Sequence, residues 1–205
     1  MAERATWGSV NPSLIKKLRL IPSPYLQHYF HRLKKVRDAQ AKPFTRAEEV
    51  QKLEVEIFSA YADPACDTKP EALSKRGGGG YSTVAFAVMN AIYTNQEKII
   101  VVNAPHQGAV RWLPDDAVLE LPCVVNASGI FPIVQAEIPG TVWGLVAAVK
   151  NYEQLTVEAA VTGSRDMAEL ALLAHPLVGD YELAQDLLAE MLEANRAFLA
   201  HSFDN

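Results

Sequence analysis

Cysteine is almost absent from this chain, which has only Cys66 and Cys123 in 205 residues. They share no C-x-x-C spacing with each other or with a histidine, which excludes a disulfide framework and the common zinc sites and fits a reducing compartment. Basic charge is in deficit as well: 19 Lys and Arg against 24 Asp and Glu leave a formal net charge of −5 and a pI of about 5.5. That balance excludes a nucleic-acid surface or a polybasic membrane patch and favours small-molecule or protein partners. No apolar run approaches the roughly 20 residues that span a bilayer. Met1-Ala2-Glu3-Arg4 lacks the charged-then-apolar layout of a signal peptide, so a cytoplasmic location is expected. Familiar catalytic motifs are missing too. There is no Gly-x-Ser-x-Gly elbow, and the five histidines, at 28, 31, 106, 175 and 201, form no HExxH pair.

What is present is an ordinary folding composition, 49% hydrophobic and 21% charged, enough for one core and at most two small domains. With no internal repeat and no low-complexity linker, a single domain over 1–205 is the economical reading. Asn11-Pro12-Ser13 starts a short helix that Ile21-Pro22-Ser23-Pro24 breaks, and a helix rich in aromatics and bases resumes from Tyr25 to Arg37. Thr45 and Glu48 have capping-box spacing ahead of Val50, Leu53, Ile57, Phe58 and Tyr61 on one helix face. Ile99 to Asn103 reads as a buried strand. Val118 to Val125 reads as a second, which Pro122 pushes toward a sheet edge or a bend, and Ile130 to Val134 as a third. Beyond Pro139 the chain is helical again, with Ser164 and Asp180 as caps. Helices, then strands, then helices indicate an α+β fold, mostly helical with a small mixed sheet.

The segment Arg76-Gly77-Gly78-Gly79-Gly80-Tyr81-Ser82-Thr83 stands out. Four consecutive glycines permit positive φ and close approach of a ligand or a second backbone. Val84, Ala85, Val88, Met89 and Ile92 then follow at helical spacing, which places Tyr81 at a helix entrance. The run is neither a Walker loop nor a dinucleotide loop, because no Gly-Lys-Ser/Thr follows it and no strand-like run precedes it. His106, in the loop from Asn103 to Leu113, is the histidine to watch. His28 and His31 share a helix face and read as structural or solvated, and His175 reads as a helix-end residue. The bases Lys16, Lys17, Arg19, Arg32, Lys34, Lys35 and Arg37 read as solvated helix faces, and Asp115, Asp116 and Glu120 first as turn and cap residues.

Several ordered motifs give the chain a family resemblance. Ile21-Pro22-Ser23-Pro24-Tyr25-Leu26, Lys75-Arg76-Gly77-Gly78 with Tyr81-Ser82, Val102-Asn103-Ala104-Pro105 through Gly108, and Leu113-Pro114-Asp115-Asp116 are similar to the C-terminal half of glycoside hydrolase family 4, in its 6-phospho-β-glucosidase members. Tyr152 to Ala160 and Leu172 to Leu177 continue the match in order. The resemblance implies a fold like the C-terminal domain of lactate and malate dehydrogenases, and a reaction that departs from the two-carboxylate mechanism of most glycosidases. Bound NAD takes a hydride from C3, a divalent metal, typically manganese, polarises the ketone, a tyrosine removes the C2 proton, the aglycone leaves, water adds and C3 is reduced again.

Carried over residue by residue, the base corresponds to Tyr81. Arg76, Asn103 and His106 are candidate substrate contacts, although His106-Gln107 stands where the family usually shows two asparagines and Arg111-Trp112 where it often has Pro-Asn. The resemblance implies NAD and a metal in the full enzyme, with the nucleotide loop and metal ligands in an N-terminal NAD-binding half outside this sequence, and neither group bound to this chain alone. It also implies a phosphorylated disaccharide or β-glucoside as substrate and a homo-oligomer. A non-catalytic oligomerisation module derived from the family, and a piece of a 2-hydroxyacid dehydrogenase, are the alternatives.

Overall fold

The structure is a computed structural model that describes residues 10–77, 80–199 and 203. Its chain divides into two compact units, residues 36–135 and residues 1–35 with 136–205.

The first of these contains the sheet. Strands β1 (Lys98–Pro105), β2 (Val118–Asn126) and β3 (Gly129–Pro132) form an antiparallel meander in the order β1-β2-β3. The mixed sheet expected from sequence is therefore purely antiparallel: β2 and β3 are joined by a two-residue turn that permits no parallel pairing. Alternation sends Ile100, Val102 and Ala104 of β1 and Leu119, Leu121, Cys123 and Val125 of β2 to one face, where they pack with Ala91 and Val88 of the helix α6 (Tyr81–Tyr93). Burial raises the pKa of the Cys123 thiol, so it stays protonated and behaves as a small apolar core residue.

Pro122 does not sit at a sheet edge, because β2 is the central strand. In an antiparallel ladder the N and C=O of one residue point to the same side, and the carbonyl of Pro122 accepts from the Ile133 N–H at 3.0 Å. Its missing donor therefore falls on the β3 side, where the strand stops at Pro132, and the pairing with β1 runs unbroken past Val101. A proline is tolerated in a central strand because one neighbour is short.

Helix α4 (Arg46–Tyr61) belongs to the same unit and begins at the expected capping box. The Thr45 hydroxyl accepts from the Glu48 N–H at 3.2 Å, while the Glu48 carboxylate accepts from the Thr45 N–H at 2.7 Å. The Thr45 N–H, and then the Thr45 hydroxyl, which donates to the same carboxylate oxygen at 2.9 Å, hold the Glu48 carboxyl below the usual carboxylate range. Of the apolar face read from sequence, Ile57 is buried, whereas Phe58 and Tyr61 are exposed. The short helix α5 (Glu71–Arg76) packs against α4 and ends at Gly77, whose φ of 90° requires glycine.

In the other unit, α1 (Pro12–Leu18) starts at Asn11, and the single helix expected from Tyr25 to Arg37 is divided into α2 (Leu26–Phe30) and α3 (Arg32–Gln40) at His31, with α3 continuing past the unit boundary. His31 Nε2 accepts the Asn11 N–H at 3.1 Å, which gives this histidine the structural role read from its position. Helices α7 (Gly140–Thr162), α8 (Arg165–Ala174) and α9 (Tyr181–Asn195) pack in succession. Ser164 and Asp180 accept the Met167 and Leu183 amides at 3.2 and 2.9 Å, as their sequence positions predict. Among the described residues, no helix is long and apolar enough to cross a membrane.

His175 closes α8 with its Nδ1 accepting the Leu177 N–H at 3.1 Å and the Tyr152 ring edge-on at 4.5 Å between centroids. Burial disfavours the imidazolium and lowers its pKa below the ordinary value. A base whose folded pKa is depressed contributes stability that is fully present above the unfolded value of about 6.5 and is lost as pH falls through the folded value. The difference in unfolding free energy between wild type and His175→Gln should therefore be constant above about pH 6.5 and move against the wild type on acidification. Denaturant titrations at several pH values measure it, and a pH-independent difference would remove His175 as its source.

Candidate functional site

The glycine run separates two helices in the sheet-bearing unit. Gly77 leaves α5 with φ 90°, and Gly80 enters α6 with φ 92°. A Cβ added at either meets nothing within 4 Å, so the backbone conformation, not crowding, asks for glycine there. Gly78 and Gly79 lie outside the described residues, as does His201. Tyr81 is the first residue of α6 and is 77% exposed. It is a phenol presented at a helix entrance, as the sequence predicts. No side chain caps this helix start, so its orphan N–H groups and positive dipole end stand beside the phenol.

Arg76 is engaged with α4. Its Nε and Nη2 both donate to Glu54 Oε1, at 3.1 and 2.9 Å. Its carbonyl, with that of Lys75, accepts from Arg46 Nη2 at 2.9 and 3.2 Å. These are the carbonyls a helix C-terminus leaves without intrahelical partners.

Asn103 is exposed on β1 opposite Glu120, on the sheet face that α6 does not cover. The fold therefore does not group it with the core that seats α6. His106 is fully buried. Its Nδ1 accepts the Val110 N–H at 3.3 Å, which leaves the hydrogen on Nε2 to be donated to the Pro114 carbonyl at 2.6 Å. Both ring nitrogens are thus spent within the β1-β2 loop, and the ring offers a ligand no surface. Asp115 belongs to the same loop, where its carbonyl accepts the Gln107 N–H at 3.0 Å. No three or more His, Cys, Asp or Glu side chains converge on a metal position among the described residues. Sequence reasoning missed Arg46 and Glu54, which lie some twenty to thirty residues from their partners and have no motif to announce them.

The sequence profile of the family 4 glycosyl hydrolase C-terminal domain matches residues 2–178. The chain belongs to this family. A probable 6-phospho-β-glucosidase of Bacillus subtilis is 40% identical over 196 residues, which cover 94% of the chain and 44% of that protein. The 6-phospho-β-glucosidase BglT of Thermotoga maritima is 41% identical over 182 residues, which cover 89% of the chain and 43% of that protein. A solved structure of the Thermotoga maritima 6-phospho-β-glucosidase with manganese, NAD+ and glucose-6-phosphate superposes with a TM-score of 0.84 at 39% identity, over 93% of this chain and 46% of that one. The family 4 C-terminal fold is thus mostly helical with one small antiparallel sheet, and the chain spans less than half the length of the relatives it matches.

Proposed function

We propose that residues 1–205 act as the single C-terminal catalytic and substrate domain of an NAD- and divalent-metal-dependent 6-phospho-β-glucosidase, in which Tyr81 removes the C2 proton of the sugar. The observation that carries this reading is the exposed phenol at the glycine-bounded entrance of α6 in a chain of this family. The described residues fit neither cofactor: they hold no metal-binding group of three donors, and the sequence has no dinucleotide loop. Both cofactors are therefore assigned to an NAD-binding half, and no step of theirs is derived from this chain.

The part left to this chain is proton transfer and substrate placement. Tyr81, once its own proton is lost, accepts the hydrogen of C2 as a proton. Asn103, exposed, remains a candidate contact for the phosphorylated disaccharide or β-glucoside. His106, buried, contributes by shaping the β1-β2 loop, and Arg76 by holding the approach to the glycine run. Large apolar side chains such as Phe86, Met89 and Tyr93 are exposed along α6, and Val55 and Phe58 along α4, which suits a domain that meets a second half and further copies.

The test is reconstitution. The chain supplied with an NAD-binding half, NAD and Mn2+ should hydrolyse an aryl 6-phospho-β-glucoside, whereas the chain alone should show no saturable NAD or Mn2+ binding by titration calorimetry. Absence of turnover in the complete mixture, or tight NAD binding by the chain alone, would sink the reading. Light scattering should show concentration-dependent association of the isolated chain, and a strict monomer at high concentration contradicts the proposed apolar interfaces.

A further inference from the structure

We propose that Arg46 and Glu54, both on α4, are positioning residues for Tyr81. The inference rests on the reading of Tyr81 as the base and adds the device that holds it in place. Helix α5 ends at a glycine with positive φ. The carbonyls of Lys75 and Arg76 thus point out of the helix end, and Arg46 Nη2 binds both. Eight residues along α4, about 12 Å of helix rise, Glu54 Oε1 takes two N–H groups of the Arg76 side chain. The last residue before the glycine run is therefore gripped twice from one helix, once by its backbone and once by its guanidinium.

Arg46 is itself oriented. Its Nη1 donates to Glu49 Oε2 at 3.2 Å, three residues on, and α4 is started by the Thr45 to Glu48 capping box directly beside it. On the far side of the glycines, α6 is seated in the sheet core by Ala91, which is fully buried. Tyr81 thus lies between two fixed points: the clamp five residues before it and the docked helix after it. Glycines alone cannot supply this fixity, since they widen the conformations open to the backbone. A clamp on the residue that precedes them restores a defined path at one end.

Arg46 and Arg76 are solvent-exposed and Glu54 is half-buried, so their pairing in contact with water adds little to overall stability. Its effect should fall on geometry, because a misplacement of about 1 Å in a reacting group costs on the order of 100-fold in rate. The structural signature is therefore a variant that folds normally, binds substrate normally and abstracts the proton slowly.

The experiment uses the reconstituted enzyme, with NAD and Mn2+, turning over an aryl 6-phospho-β-glucoside and its C2-deuterated form. Arg46→Ala and Glu54→Ala should each lower kcat about 10- to 100-fold with KM and melting temperature nearly unchanged, and should enlarge the C2 deuterium isotope effect. Arg46→Lys, which keeps a cation with donors, and Glu54→Gln, which keeps an acceptor, should recover part of the loss. In a Tyr81→Phe background neither alanine change should cost anything further, since residues that act through one another are not additive. Alanine variants within twofold of wild type in kcat while Tyr81→Phe is crippled would overturn the clamp alone. Losses that multiply with that of Tyr81→Phe, or that appear in KM only, would also overturn it. A fully active Tyr81→Phe enzyme removes the base reading and the clamp's purpose together.

Discussion

Tyr81→Phe, made in the reconstituted enzyme, should lower turnover by about two to four orders of magnitude, the range lost with a general base. The substitution keeps the ring and deletes only the hydroxyl. Because the side chain is 77% exposed, nothing buried loses a partner, and stability should shift by no more than about 0.5 kcal/mol, the usual scale for surface changes. The loss should therefore sit in kcat and leave binding of the phosphorylated sugar intact, the pattern of an interaction made only in the transition state. Deuterium from solvent should no longer enter at C2, because the exchanging group has gone. Near-normal turnover with undiminished deuterium incorporation would show that the phenol is a surface residue. The glycines at 77 and 80, each with positive φ, would then mark only a turn between α5 and α6.

How much of this was legible in the sequence depends on the range of the interaction. Local chemistry was readable: the Thr45 to Glu48 capping box, the Ser164 and Asp180 caps and the Asn11 start all appear where the side-chain types place them. Each is decided within three or four residues. Strand order was not readable, and of the sheet edge or bend that Pro122 suggests the edge does not hold, because what permits the proline is the length of β3, a property of a different segment. The core was only partly readable. Periodicity points to large apolar residues such as Met89 and Phe58, yet both are exposed, while Ala91, Ala104, Ala109 and Ala117 are buried. Alanines let elements approach closely and carry no strong pattern of their own. The large side chains remain outside in a chain that spans less than half of its relatives.

The site divides along the same line. The place of Tyr81 at the entrance of α6 was legible because glycines and a helix start adjoin it in sequence. The contacts of Arg46 and Glu54 with the end of α5 were not, since they close over 29 and 30 residues for the backbone bonds and 22 for the ion pair. His106 stands out in the sequence only as the histidine of the loop from Asn103 to Leu113. That it is buried follows from the loop folding back on itself, with the Ala117 carbonyl accepting the His106 N–H at 3.1 Å and the Ala109 N–H returning to the His106 carbonyl at 2.8 Å.

His106→Leu should destabilise the sheet-bearing unit by about 2–4 kcal/mol, a sum of one buried donor left without a partner and the loss of a second hydrogen bond. The donor is the Val110 N–H, on a buried residue, which His106 Nδ1 now satisfies. The second bond goes to the Pro114 carbonyl, which keeps the Ala117 N–H at 2.9 Å and so is not orphaned. Leucine fills a comparable volume without polar atoms, so the loss is chiefly one of hydrogen bonding and not of a cavity. The two nitrogens separate the contributions. An asparagine amide lies at the same distance along the side chain as Nδ1, and a glutamine amide reaches as far as Nε2. His106→Asn should therefore keep the Val110 bond and be the milder change, whereas His106→Gln should keep only the Pro114 bond. Amide hydrogen exchange at Val110, read beside the denaturant midpoint, decides the matter. Protection retained in His106→Asn and lost in His106→Leu is the expected result, and equal protection in both would show that the ring is held in the loop by packing alone.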